Sequence, residues 1–271
     1  MTSAGIRAAR LAAAGWVLAV TAAALADKPP AAGAKPGPVN FKADHPWGRF
    51  KAGSWVSSKT TLTQRVANAP GSDDPSVPPR VTVTERKAVL KEVKDDTYTL
   101  ESTEGPPRNQ HTTPLMFRWD GTPTGLEAPT VTVVEEKDEE VDTAGEKWPC
   151  HYTKVQVQSL QGAITYETWA SPKAPGGWVK RSVANEAAGT GNQEVWLLDK
   201  KKETVSVGNR KLTCWVLKQT QQGAGTAEVQ TTTVWRCADV PGLDAKIQSQ
   251  WMTSDSKNDT VMEVSGFQGK H

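Results

Sequence analysis

The sequence predicts an all-β protein, an antiparallel meander forming a curved sheet or half-barrel, with few helices beyond an export segment. Apolar residues recur with a period of two rather than 3.6. Short runs of strand character follow one another at regular spacing, divided by Gly, Pro, Asp and Asn. Two segments in the second half of the chain also share a spacing of Gly, Cys, Trp and Pro, which indicates an internal duplication.

Residues 1–26 are predicted to be a cleaved signal peptide. Arg7 and Arg10 form a positive start, Leu11–Leu25 is an uncharged apolar stretch, and Ala24–Ala26 has the small-x-small form of a cleavage site. The alternative is an uncleaved anchor, but a bilayer span needs about 20 strongly apolar residues. The chain is therefore expected to be secreted or periplasmic, with no integral membrane segment after cleavage.

Charge and composition exclude one class of partner. The chain carries 32 Lys and Arg against 30 Asp and Glu. Removing residues 1–26 removes Arg7 and Arg10 and no acid, so the remainder is balanced at 30 against 30. A neutral chain is not expected to bind nucleic acid through a general positive charge.

Residues 27–44 are predicted to be a disordered linker, since Pro, Ala and Gly dominate and large apolar side chains are nearly absent. Residues 45–267 are predicted to form a single antiparallel β domain, and residues 268–271 a tail. Two Pro-rich stretches, 67–79 and 104–114, are expected to be long loops inside that domain.

The first predicted hairpin lies at residues 80–104. Its runs are Arg80–Val93 and Asp96–Glu104, with Lys94–Asp95 as the turn. Part of the first run could form a helix, but the alternation on either side favours strands. Further predicted strands are Thr130–Val134, Tyr152–Gln158, Ala163–Ala170, Trp178–Ala184, Glu194–Leu198, Thr204–Val207, Leu212–Gln219, Thr226–Cys237, Ala245–Met252 and Thr260–Val264.

The repeat units are residues 140–181 and 203–246. The positions that they share are Gly145/Gly208, Cys150/Cys214, Trp169/Trp235, Pro175/Pro241, Gly176/Gly242 and Lys180/Lys246. A weaker third echo begins at Gly53–Val56. The pattern predicts a duplicated β-meander and implies no catalysis by itself.

The second unit predicts a strand register. If Gly225–Thr226 is a two-residue hairpin turn, Val216 faces Trp235 and Cys214 faces Cys237. Directly opposed residues of an antiparallel pair lie close enough for a disulfide. A Cys214–Cys237 disulfide is therefore predicted, with Cys150–Cys214 as the competing pair.

Cys150 is then left as a free thiol, because Ser171 occupies the place that Cys237 has in the other unit. An odd cysteine in an exported protein can be reactive or can bridge two chains. A buried, inert thiol is the expectation here.

No catalytic or metal-binding pattern is recognisable. The four histidines stand apart in sequence, and the spacings of common nucleophile, phosphate and zinc motifs are missing. The acidic run Glu135–Glu140 could gather a cation, but side chains of contiguous strand residues alternate faces, so a solvated edge or turn is preferred. The expectation is a protein without enzymatic activity, metal or cofactor.

Tryptophan is the remaining candidate for function, since the chain has 11 Trp against three Tyr and four Phe. Exposed Trp can stack on sugars or line an apolar cavity, whereas Trp at equivalent repeat positions is typical of core. Trp148, Trp178 and Trp196 have polar or Gly neighbours and are the predicted ligand-contact residues.

The unit of Gly, Cys, hairpin, Trp, Pro-Gly and a strand with Lys resembles that of uncharacterised secreted bacterial proteins. Their meandering sheet is similar to the half-barrel of the lipoprotein carriers of the LolA/LolB type. The resemblance covers about Trp47–Phe267 and implies an open concave face lined with apolar side chains. Those carriers also hold helices within the curve, and this sequence shows little amphipathic helix.

The expected function is therefore non-catalytic binding of an apolar or lipid-like ligand, or of an envelope protein, on a concave sheet face. The alternative is a carbohydrate-binding module that uses exposed Trp. A weaker alternative is a hydrolase whose site is not recognised.

Overall fold

The computed structural model describes residues 42, 45–69, 72–73, 77–105, 110–119, 123–125, 130–159, 162–174, 177–185, 192–222, 229–252 and 256–271. The predicted signal peptide lies outside these residues, as does the predicted linker except for Lys42. The turn Gly225–Thr226 and the pair Pro175–Gly176 also lie outside them.

Every named element is a β-strand, since β-branched and aromatic residues alternate with polar ones along most of the body. The strands are β1 Trp55–Ala69, β2 Ser72–Asp73, β3 Arg80–Val93, β4 Thr97–Gly105, β5 His111–Arg118, β6 Thr130–Thr143, β7 Glu146–Ser159, β8 Gly162–Ala170, β9 Trp178–Asn185, β10 Asn192–Val207, β11 Arg210–Gln222, β12 Val229–Arg236, β13 Asp244–Met252 and β14 Ser256–Gln268.

The strands form one antiparallel sheet in the order β5-β4-β3-β1-β14-β13-β12-β11-β10-β9-β8-β7-β6, with β2 paired only to β1. The first and last strands, β1 and β14, pair with each other inside the sheet. The two edge strands, β5 and β6, are consecutive in the chain. The sheet is open but curved, because β10 contacts β6 and β14, neither of which is its neighbour in the order. The predicted all-β meander is confirmed.

The hairpin predicted at residues 80–104 is confirmed as β3 and β4, closed by a bond from the Lys94 N–H to the Thr97 carbonyl (2.8 Å). Several strands differ from the prediction. β1 was missed apart from the echo at Gly53–Val56, and β10 joins the predicted runs Glu194–Leu198 and Thr204–Val207. β5 runs through part of the predicted 104–114 loop and was missed, because Pro114 interrupts its alternation. β6 extends to Thr143, so the acidic run lies on an edge strand, as preferred.

The predicted register of β11 and β12 is correct, since Val216 pairs with Trp235 and Leu217 with Val234. The ladder ends one step later, at Trp215 and Arg236. Cys237 leaves the sheet because its N–H donates to the Leu243 carbonyl (2.7 Å) and starts a turn.

The turns after β8 and β12 share one hydrogen-bond pattern. In the first, Ser171 N–H donates to Gly177 O, Ala174 N–H to Ser171 O and Gly177 N–H to Ala174 O, at 2.9, 3.0 and 2.9 Å. In the second, Cys237 bonds Leu243, Val240 bonds Cys237 and Leu243 bonds Val240, at 2.7, 3.2 and 2.8 Å. The strand before each turn also carries the same register shift, after Trp169 and after Trp235.

Buried apolar side chains form four clusters rather than one continuous layer. The first holds Val207, Leu212, Cys214, Cys237, Val240, Ala245, Met262 and Val264; the second Trp47, Phe50, Ala88, Leu90, Tyr98, Phe117 and Trp119; the third Trp148, Cys150, Tyr152, Trp169, Ala174, Val179 and Leu198; the fourth Val155, Val157 and Tyr166. Cys214 and Cys150, which hold equivalent repeat positions, lie in the first and third clusters. Each of these clusters also contains residues of the turn in the same repeat unit: Cys237 and Val240 in the first, and Ala174 in the third.

The segment 45–54 closes one end of the sheet and ties the C-terminus to it. The Lys51 N–H donates to the Lys270 carbonyl (2.7 Å), and the Lys270 N–H donates to the Ser54 hydroxyl (2.9 Å). The rings of Phe50 and His271 lie 5.0 Å apart. Residues 268–271, predicted to be a tail, therefore belong to the fold.

In the part of the chain that the structure describes, no helix has the length and apolar character needed to cross a bilayer.

Candidate functional site

A cleft of about 320 Å³ lies on one face of strands β6 to β10. Its lining side chains come from consecutive strands at matching register, because alternate residues of a strand share a face. Gln156, Thr165, Ala184 and Gln193 form one row, and Lys154, Glu167 and Ser182 form the next, with Val134 at the edge. Val134 enters the lining at the register shift between Val133 and Glu135.

Six of these eight side chains carry hydrogen-bonding groups, and several are already positioned by one another. The Lys154 ammonium lies 3.5 Å from Glu167 Oε1, which also accepts a hydrogen bond from the Tyr152 hydroxyl at 3.2 Å. The Gln193 amide donates to the Ser182 hydroxyl at 3.1 Å. The cleft therefore presents a charge pair and an oriented amide rather than an apolar wall.

An aromatic layer lies next to the cleft on the same face. Tyr152 pairs with Trp169 across the strands, with ring centroids 5.0 Å apart, and both rings are buried. Burial, followed by the nearby Glu167 carboxylate, raises the pKa of Tyr152 to about 12. The phenol therefore stays protonated and keeps donating to Glu167 at neutral pH.

Charged groups close the other side of this aromatic layer. The Trp169 indole N–H donates to Glu139, and this bond holds the pKa of Glu139 below its usual value. Lys180 lies over the Trp169 ring at 4.0 Å and Lys137 over the Tyr152 ring at 4.8 Å. Both rings therefore lie beside the cleft and are covered by cations.

The three tryptophans predicted to contact a ligand do not lie together in the cleft. Trp148 and Trp178 are buried, at 2% and 5% exposure, so the expectation that solvent sees them is wrong. Trp148 packs edge-on against Trp215 at 5.6 Å, and its indole N–H donates to the Thr143 carbonyl (3.1 Å). Trp196 is half-buried and is not part of the cleft lining.

Cations cover the faces of many tryptophans, which leaves those faces less accessible for stacking on a sugar. The pairs are Trp55 with Lys87, Trp119 with Lys42, Trp148 with Lys201, Trp169 with Lys180, Trp178 with Arg236 and Trp235 with Lys246. Sequence reasoning missed this arrangement, because most of the cations lie on neighbouring strands or on more distant segments rather than beside the ring in sequence.

The predicted Cys214–Cys237 disulfide is not formed, and all three cysteines, including Cys150, are buried free thiols. Cys214 and Cys237 belong to one buried cluster, and the Cys214 thiol lies 3.9 Å from the Leu212 carbonyl. The two sulfurs form no disulfide, because Cys237 has left the strand pairing to begin the turn at residues 237–243. The interaction between the two thiols lowers the pKa of Cys237 and raises that of Cys214.

Cys150 is a buried thiol, at 5% exposure, and its Sγ lies 3.3 Å from the Trp148 carbonyl. Burial raises its pKa to about 11. At neutral pH Cys150 is therefore protonated and a poor nucleophile.

The described residues contain no group of three or more His, Cys, Asp or Glu side chains that could hold a metal ion. In the acidic run on β6, Lys137 forms ion pairs with Glu135 (3.1 Å) and Glu139 (3.4 Å). Asp138 instead contacts His151 Nδ1 on β7 at 2.9 Å.

Most of the cleft residues were within reach of sequence reasoning but were not singled out. Predicted strands 152–158 and 163–170, joined by a tight turn, would have paired Lys154 with Glu167 and Gln156 with Thr165, as the structure does. The sequence held no sign that this face stays open, because the opening depends on how far the sheet curves.

Comparison of the chain with protein-family models, with curated protein sequences and with solved structures finds no match.

Proposed function

We propose that this protein is an exported, non-catalytic binding protein whose ligand is a small hydroxyl-rich molecule, of the carbohydrate class, held in the cleft of β6 to β10. The observation that carries the proposal is the polar lining, in which Gln156, Lys154, Glu167 and Gln193 occupy adjacent strands. Amide and carboxylate groups held in fixed positions offer both donors and acceptors to ligand hydroxyls.

Two features favour a sugar over the apolar ligand expected from the sequence. Only Val134 and Ala184 contribute apolar side chains to the lining, and an acyl chain there would bury polar groups without hydrogen bonds. The cleft volume of about 320 Å³ is also at the small end for ligand sites. This size suits one or two sugar rings.

Binding rather than catalysis is proposed because Glu167, the one acid in the lining, already has two partners. Its Oε1 atom contacts the Lys154 ammonium and the Tyr152 hydroxyl. A carboxylate held in this way serves as an oriented acceptor and is a poor general base. The proposal of export rests on residues 1–26, with Arg7 and Arg10 ahead of the apolar stretch.

We also propose that units 140–181 and 203–246 arose by duplication. The shared turn hydrogen bonds and the equivalent cation–ring pairs, Lys180 with Trp169 and Lys246 with Trp235, support it. The cleft belongs to the first unit and its neighbours, so duplication need not have created two ligand sites.

The test is glycan-array screening of the purified chain, followed by titration calorimetry with the best saccharide. The double variant Gln156→Ala/Gln193→Ala should bind about tenfold more weakly, as expected for the loss of two hydrogen bonds. The matched control is Gln250→Ala, because Gln250 is an exposed glutamine on β13 outside the cleft.

Saccharide binding that is equal in the double variant and in the control would contradict the cleft as the site. If the chain takes up lipid from vesicles and shows no response to saccharides, the carbohydrate proposal is wrong and the apolar ligand expected from the sequence is favoured instead.

A further inference from the structure

The outer edge of β6 is one of the two edges of the sheet. β6 pairs with β7 along its whole length, from Thr130 with Gln158 to Thr143 with Glu146. Within the described ranges, no strand pairs with its other side. Residues 130–138 of this edge are all exposed, whereas at the far end Thr143 is buried and its hydroxyl donates to the Leu198 carbonyl of β10. The exposed part presents backbone N–H and C=O groups that can pair with another chain.

The opposite edge of the sheet, β5, is exposed at residues 111–114 and covered at its C-terminal end. Phe117 forms a bridge with Pro123, and the Thr124 N–H donates to the Met116 carbonyl at 3.0 Å. Pro114 within β5 also lacks an N–H for pairing. The exposed, uncovered stretch at residues 130–138 of β6 is therefore the longer of the two.

The first part of β6 has the chemistry of a pairing strand. Residues 130–134 read Thr-Val-Thr-Val-Val and are all exposed. Val131, Val133 and Val134 are 38%, 46% and 56% exposed, and they form the largest sequence-local group of exposed apolar side chains among the described residues. Val131 and Val133 stand opposite the buried Val157 and Val155 of β7, so they extend an apolar strip to the edge.

The second part of β6 is acidic and therefore favours a partner strand of opposite charge. Residues 135–140 hold five acids and one lysine, and most are exposed. Although Lys137 pairs with Glu135 and Glu139, the run keeps an excess of acids over cations. This excess opposes pairing with an acidic strand and attracts a basic one.

We propose that β6 is a docking site for an extended segment of a partner polypeptide, which adds to the sheet as an antiparallel strand. The segment has Lys or Arg opposite residues 135–140 and alternating Val, Ile or Thr opposite residues 130–134. Main-chain hydrogen bonds supply affinity in this mode, and the side-chain pattern supplies specificity.

This inference stands apart from the carbohydrate proposal. Its variants leave out Val134, the one β6 residue that lines the cleft, and its ligand is a peptide. Loss of saccharide binding and loss of peptide binding are therefore separate results.

The experiment measures fluorescence anisotropy of a labelled ten-residue peptide, blocked at both ends, titrated with the purified chain. The peptide alternates Lys and Thr in its first six positions and Val and Thr in its last four. A second peptide with Glu in place of each Lys is the charge control. The expected result is saturable binding of the first peptide that weakens with added salt, with no binding of the second.

The variant Val131→Asn/Val133→Asn should weaken binding by about tenfold, because two apolar cross-strand contacts are lost. The matched control Leu197→Asn should bind normally, since Leu197 has similar exposure, 38%, on a strand paired on both sides. Glu136→Gln/Glu140→Gln should reduce the salt dependence. Circular dichroism of each variant checks that the sheet is retained.

Equal binding of both peptides, or equal affinity in Val131→Asn/Val133→Asn and Leu197→Asn, would overturn the proposal. A concentration-dependent dimer that the double variant abolishes, without peptide binding, would also overturn it and would assign the edge to a second copy of this chain.

Discussion

His45 makes this fold sensitive to mild acid. Its Nδ1 atom accepts the Trp47 N–H at 3.2 Å, so the neutral ring carries its proton on Nε2 and points it at the Tyr98 hydroxyl, 3.0 Å away. The ring also lies 4.7 Å from that of Tyr98 and 5.4 Å from that of Trp119. A second proton would require Nδ1 to give up the Trp47 contact within a largely buried site.

Burial accordingly lowers the pKa of His45 from 6.5 to about 4. Between these values the unfolded chain binds a proton that the folded chain excludes, so stability falls as pH decreases. The loss begins near pH 6.5, ends near pH 4 and totals about 3 kcal/mol, at 1.36 kcal/mol for each pKa unit. From pH 7.5 to pH 5 the expected loss is about 2 kcal/mol.

The assay is urea unfolding at pH 7.5 and pH 5, followed by tryptophan fluorescence. The midpoint should drop by on the order of 1 M urea. His45→Asn should lower the free energy of unfolding at pH 7.5. It should also make the drop in that free energy between pH 7.5 and pH 5 smaller by about 2 kcal/mol. His111→Gln, at an exposed histidine of β5, should retain the full difference. If His45→Asn keeps the wild-type pH dependence, the assignment to His45 is wrong.

Three further predictions concern the cysteines, the turn after β6 and the packing of Phe50. Because all three cysteines are buried free thiols, a thiol reagent should titrate about three groups per chain in denaturant and react slowly with the native protein; one thiol per unfolded chain would mean that two are bonded. Ala144 and Gly145 both have positive φ, 54° and 76°, in the two-residue turn after β6. Because Asn tolerates this conformation better than Ala, Ala144→Asn should raise the free energy of unfolding by about 0.5–1 kcal/mol in urea titrations. A lower free energy of unfolding would contradict this turn type. Phe50 is 2% exposed and packs on Gly269 and His271, so Phe50→Ala should cost about 3–5 kcal/mol, and a cost below about 1 kcal/mol would show that this end of the sheet is loosely packed.

The cleft and the edge of β6 share a strand but present different chemistry. The cleft offers oriented side-chain groups around Lys154 and Glu167, whereas the edge offers backbone groups flanked by acids. A protein with both features could hold a glycan and a polypeptide at once, and the two sets of variants separate these roles.

The local structure followed from the sequence, because strand period and tight turns depend on residues close together in the chain. The hairpin of β3 and β4 and the pairing of Val216 with Trp235 are examples. β5 was missed because Pro114 breaks its pattern. The disulfide was wrongly expected because a register places two cysteines opposite each other but does not show where the strand ends.

By itself, the sequence predicted that the body is an antiparallel β-meander and that the acidic run Glu135–Glu140 lies at a solvated edge or turn. Only the tertiary structure decided the rest. It paired β1 with β14, about 200 residues apart in the chain, and buried Trp148 and Trp178. It also gathered the polar cleft from five strands. The physical reason is that sheet curvature and the coverage of each face arise from contacts between distant strands, and these contacts leave no local pattern.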